Sequence, residues 1–121
     1  MTIDDFNAHQ QKFLGQLFDL TGKKSKEYNT TEDRFDHFEQ AVGFSLCKER
    51  EGIAWEFCVK HLQSVRDLIK HVEDGGDVNG HPTQKMIDEK FGDIIVYMTL
   101  MHGMLTDRIN KYEERKQNGS E

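Results

Sequence analysis

The chain has 121 residues, with 22 acidic and 16 basic side chains, a formal charge of −6, one proline and two cysteines. That length fits one domain, and no apolar run approaches the roughly 20 residues of a membrane span. The acidic balance excludes a broad nucleic-acid-binding face. The N-terminus, Met1-Thr2-Ile3-Asp4-Asp5, is acidic where a secretory signal is basic. Cys47 and Cys58 make neither a disulfide framework nor a four-ligand zinc set, so a reducing, cytoplasmic setting is expected.

Residues 3–20 predict the first helix. Phe6, Phe13, Leu14, Leu17, Phe18 and Leu20 recur at spacings of three and four, Thr2 is placed to cap, and Asp4 and Asp5 fall in the first turn. Thr21-Gly22 marks its end or a kink, and 23–33 reads as a polar loop, with or without a helical tail before it. A short second helix follows a cap at Thr31 or Asp33, carries Phe35, Phe38, Ala41 and Val42 on its apolar side, and stops at Gly43. The third helix, about 49–73, has the stripe Trp55, Cys58, Val59, Leu62, Val65 and Ile69, and Gly75-Gly76 stops it. After a loop over 74–82, Pro82 and Thr83 start a fourth helix to about 115, with Ile87, Phe91, Ile94, Ile95, Met98, Met101, Leu105 and Ile109 as its stripe. A single helical domain over 1–115 is expected, with a frayed tail over 116–121.

No strand-like alternation is present. The fold class expected is all-α: an antiparallel helical bundle built on a long helix hairpin. Helices three and four, at about 35–45 Å, are long for a monomer of this size, so completion by a homo-oligomer is expected.

Candidate chemistry gathers on these two helices. Glu56, Lys60, Ser64 and Asp67 share one face of the third, either as an exposed ion-pair ladder or as part of a site, and His61 lies at the edge of the apolar stripe. On the fourth, Glu89, Asp93 and Tyr97 follow one another at single-turn intervals. A carboxylate at the core edge needs a partner. For Asp93 that partner is either Lys60 or His61 across the hairpin, or a divalent metal shared with Glu89. Lys23, Lys24 and Lys26, with Arg34 nearby, form the one dense basic patch, which reads either as a solvated helix end or as a holder of a few phosphates. Tyr28 adds an aromatic ring that can stack on a base. No Gly-rich phosphate loop, no closely spaced histidine pair for zinc and no positioned base for Ser64 or either cysteine is present.

The order Lys26-Glu27-Tyr28, Glu32-Asp33-Arg34-Phe35, Val59-Lys60-His61-Leu62, then Asp88-Glu89-Lys90-Phe91-Gly92-Asp93 and Tyr97, resembles small proteins of tailed bacteriophages. Over mainly 51–105 it is distantly similar to the MazG-like all-α nucleotide pyrophosphohydrolases. The most specific piece is Glu89-Lys90-Phe91-Gly92-Asp93-Ile94-Ile95, similar to the segment where those enzymes place acidic magnesium ligands. The resemblance implies a helical bundle, an oligomer, a nucleoside triphosphate substrate and Mg2+. Glu89 and Asp93, with Glu56, would be metal ligands, and Lys60 or Arg66 would touch phosphate. The chain departs from the pattern in two places. Where those enzymes carry paired glutamates it has Glu56, Lys60, His61 and Asp67, and Lys90 replaces a usual acid.

Three functions are expected to compete. The first is a Mg-dependent pyrophosphohydrolase-like enzyme. The second is a non-catalytic viral protein that sequesters a nucleotide or cyclic nucleotide, such as a host immune signalling nucleotide, through Tyr28, Arg34, Lys60 and Arg66, with Lys24, His61 and Tyr97 as further contacts. The third is an acidic inhibitor of a host protein, acting in the cytoplasm of an infected bacterium.

Overall fold

The computed structural model describes residues 1–28, 33–75 and 82–119, and for 23–28 it describes the backbone alone. Four helices, and no strand among the described residues, run in the order α1 (Ile3–Tyr28), α2 (Asp36–Val42), α3 (Arg50–Glu73) and α4 (Gln84–Gln117). The all-α expectation is met. The chain divides into two compact units, Met1–His37 and Phe38–Glu121.

In the first unit, Thr2 Oγ1 accepts from the Asp5 amide at 3.0 Å, while Asp5 Oδ2 accepts from the Thr2 amide at 3.5 Å. This reciprocal pair satisfies two of the donors that a helix start leaves open. α1 does not end at Thr21-Gly22 as the sequence suggests; it continues to Tyr28. A single interior glycine costs only about 1 kcal/mol, and the lysines and Glu27 that follow are good helix formers. Asp33 Oδ1 accepts from the Phe35 amide at 2.9 Å, so Asp33 opens the turn into α2. The alternative cap, Thr31, lies outside the described residues.

The second unit is a helical hairpin with the end of α2 against one side. Arg50 meets Met104 and Asp107, His61 meets Asp93, and Ser64 meets Lys90. Residue numbers rise along α3 as they fall along α4, so the two helices are antiparallel. α4 starts as expected: Thr83 Oγ1 accepts from the Met86 amide at 3.2 Å. α4 extends to Gln117, two residues past the predicted end, and closes on Asn118 and Gly119, the latter at φ +71°. No described helix is long and apolar enough to cross a membrane.

The seam between α3 and α4 takes Arg50, Ala54, Cys58, His61 and Val65 from α3, and Asp93, Tyr97, Leu100, Met104 and Asp107 from α4. Ala54, Cys58 and Met104 are fully buried. This corrects the predicted core. Trp55, Leu62 and Ile69 on α3, and Phe91, Met98, Leu105 and Ile109 on α4, stand exposed. Apolar residues cover an arc wider than one helix neighbour can bury, and the seam falls at the side where small Ala54 and Cys58 let the axes approach. Phe38, also buried, packs edge-on to Tyr97 with ring centroids 6.2 Å apart, and lies 6.5 Å from Phe57.

Candidate functional site

Two polar clusters lie on the hairpin, and they differ in kind. The first is built on the start of α3. Arg50 stands on the seam register, its side chain 7% exposed. Nη2 donates to Asp107 Oδ2 at 2.9 Å and to the Met104 carbonyl at 3.3 Å, Nη1 to Glu39 Oε1 at 3.1 Å, and Nε to Glu51 Oε1 at 3.4 Å. Arg108 grips Glu51 with two 2.9 Å bonds and also reaches Glu49, while Lys111 pairs with Asp107 at 3.1 Å. Burial of Arg50 works against its charge, but the bonds to Asp107 and Glu51 outweigh it and raise its pKa. Desolvation likewise opposes the Glu51 charge, and the hydrogen bonds from Arg108 and Arg50 overcome it, holding the carboxyl below its ordinary 4.5. Asp107 is held below its ordinary 3.8 by the bonds from Arg50 and Lys111. Each carboxylate of this cluster contacts at least one cation, and together the contacts tie α2, α3 and α4 to one another.

A pH dependence follows from these shifts. Both carboxyl pKa values are lower folded than unfolded, so the unfolded chain binds the extra protons as the pH drops. The stabilisation is present above 4.5 and 3.8 and is lost as the pH falls through the lower folded values. The urea midpoint, followed by circular dichroism, is expected to hold at neutral pH and decline between about pH 5 and 3. A midpoint that is flat across that window would remove the cluster from the stability of the fold.

The second cluster sits two to three turns further along α3 and holds five of the residues singled out from sequence: Lys60, His61, Ser64, Asp93 and Tyr97. His61 Nδ1 lies 3.4 Å from Asp93 Oδ2, with side chains 32% and 43% exposed. The imidazole stacks on Tyr97, centroids 5.2 Å apart and planes 27° from parallel. Phe57 lies 6.3 Å from the Tyr97 ring, and Lys60 Nζ stands 5.9 Å from the Phe57 centroid. One turn further along α3, Lys90 donates to Ser64 Oγ. Burial, and then the nearby Asp93 charge, push the Tyr97 phenol up from 10, so it stays protonated as a donor at neutral pH.

Asp93 therefore takes His61, one of the two hairpin partners expected for it. Glu89 is exposed one turn before Asp93, and Glu56 accepts from the Cys47 thiol at 3.1 Å. Among the described residues, no group of three or more His, Cys, Asp or Glu side chains is placed to hold a metal ion. Ser64 faces an ammonium donor rather than a base, which gives no activation of its hydroxyl.

Of the other expected nucleotide contacts, Arg66 alone lies on the described part of this unit, and it is not gathered here. Arg66 is exposed, pairs with Asp67 at 3.6 Å, and lies on a different face of α3 from His61. Arg34 belongs to the Met1–His37 unit, where burial pushes its guanidinium down from the ordinary value. The side chains of Lys24 and Tyr28 lie outside the described residues. Sequence reasoning passed over Arg50, although one signal marked it: it shares the 3.6-residue register of Ala54, Cys58, His61 and Val65, which places a cation on a core seam. Cys47 and Cys58 are both free thiols, and burial raises the Cys58 pKa.

The fold and the site together define an all-α protein built on a helical hairpin with an aromatic, lysine-rimmed polar cluster. No family model matches the sequence, and neither curated proteins nor solved structures show a significant match to it.

Proposed function

We propose that the His61–Tyr97 region of the α3–α4 hairpin binds a nucleotide or cyclic nucleotide and holds it without hydrolysis. The observation that carries this reading is the partly exposed imidazole, stacked on Tyr97, anchored by Asp93 and rimmed by Lys60 and Lys90. A stacked ring with a free outer side accepts a purine or pyrimidine face, and lysines accept phosphate as point charges. Binding is favoured over hydrolysis because two of the three carboxylates a magnesium site would use are otherwise engaged: Asp93 faces His61, and Glu56 holds the Cys47 thiol.

Thermal shift of the full chain against nucleoside triphosphates, monophosphates and cyclic nucleotides, each with magnesium and with a chelator, tests this. At about 100 times Kd a ligand adds about 2.7 kcal/mol to the folded state, which is a readable rise in Tm. The rise is expected to survive the chelator, the ligand to be recovered intact, and Tyr97→Leu with Lys60→Ala to abolish the shift. No shift with any nucleotide overturns the reading. Pyrophosphate release that needs magnesium and is lost in Asp93→Ala replaces it with the enzyme.

A further inference from the structure

We infer that two copies of this chain associate through the side of the α3–α4 hairpin that carries Trp55, Leu62 and Ile69 on one helix and Phe91, Met98 and Leu105 on the other. Each set is spaced by seven residues, and Tyr112 continues the second. Seven residues are nearly two helical turns, so each set makes a straight stripe along its helix. The side on which each stripe lies follows from the seam. Trp55, Leu62 and Met98, Leu105 come one position after the seam residues Ala54, His61 and Tyr97, Met104. In an antiparallel pair, the position that follows a seam residue lies on the same side of both helices. The two stripes therefore form one apolar face.

This face is open. With Ile109 and Tyr112 included, its side chains are between 37% and 63% exposed. Aromatic side chains carry about 150–250 Å² each and the aliphatic ones somewhat less, so the face presents on the order of 800 Å² of apolar surface. Monomers rarely expose a contiguous patch beyond about 300–600 Å². A standard stable interface buries about 800 Å² from each partner, so this one face supplies what a dimer needs before any polar rim is added. A second copy is the occupant the pattern selects. An isologous contact needs a self-complementary face, and the same heptad ladder on two antiparallel helices, turned about a two-fold axis, meets its own repeat. Two hairpins then close a four-helix bundle. The His61–Tyr97 cluster lies at the seam and toward the opposite side, so dimer formation leaves it open and the inference stands apart from the nucleotide reading.

The test uses the full chain in sedimentation equilibrium, with fluorescence of Trp55, its only tryptophan, read in parallel. The expected mass is twice 14.1 kDa at micromolar concentrations. On dilution, Trp55 emission is expected to move to the red as the mass halves. Leu105→Glu and, separately, Met98→Lys are expected to give a monomer with unchanged helical circular dichroism, because neither side chain is buried within the Phe38–Glu121 unit. Gln63→Glu, on another face of α3, is expected to stay a dimer. A mass of 14.1 kDa at the highest concentration overturns the inference. So does a dimer that both charged variants leave intact. A Trp55 emission that is buried but independent of concentration overturns it too, and assigns the cover to a segment of the same chain such as α1.

Discussion

Arg50→Met is expected to destabilise the Phe38–Glu121 unit by about 3 kcal/mol at neutral pH, read as a lower urea midpoint with an unchanged slope. Arg50 is 6% exposed and donates to three carboxylates and a main-chain carbonyl. The methionine matches much of its length but donates nothing. Glu51 keeps both bonds from Arg108, so the loss falls on Asp107, Glu39 and the Met104 carbonyl. Asp107 keeps Lys111 at 3.1 Å and the Glu39 side chain is half exposed, so both carboxylates lose part of their compensation while the buried Met104 carbonyl loses its Arg50 donor. Arg50→Met combined with Asp107→Leu is expected to cost less than the sum of the two single changes, and the double-mutant cycle measures the coupling. Arg50→Lys is expected to fall between, since an ammonium cannot fork to Asp107 and Glu39 together. A single variant as stable as the parent chain would show that the cluster does not hold the helices together.

Met104→Ala is expected to cost about 3 kcal/mol. Its side chain is fully buried on the seam, as are Ala54 and Cys58 on α3. The Met104 carbonyl receives Arg50, so this turn of α4 lies against the first turns of α3, where the α3 side chains are small. A large flexible side chain on one helix fills the space that two small ones leave on the other. Truncation opens a cavity that the antiparallel pair cannot close without moving its axes. Met86→Ala is the matched control: that methionine is 44% exposed, and its truncation is expected to stay within about 0.5 kcal/mol. Equal losses for the two would place the packing of the hairpin elsewhere.

Signals in the sequence are legible where the physics is local. Thr2 and Thr83 cap because a hydroxyl beside the first open amides needs no distant partner. Gly43 ends α2 for an equally local reason. The same reasoning cut α1 short at Gly22, because the penalty of one glycine is small against the helix formers around it. Of the candidate site, the pairing of Asp93 with His61 was legible as one of two hairpin options. That His61 would also stack on Tyr97, with Phe57 and Phe38 behind, was not, since it depends on the register of one helix against another.

Helix, cap and stop positions were thus set by residues within a few places of one another, through propensity, periodicity and side-chain bonds to open amides. The choice of seam was not. Both long helices carry more apolar surface than one neighbour can cover, and periodicity gives no preference among its parts. Packing made that choice by size, putting Ala54, Cys58 and Met104 inside and leaving Trp55, Leu62 and Leu105 outside. The same choice carried Arg50 inward, where carboxylate and carbonyl contacts that include groups from α2 and α4 make a buried cation tolerable.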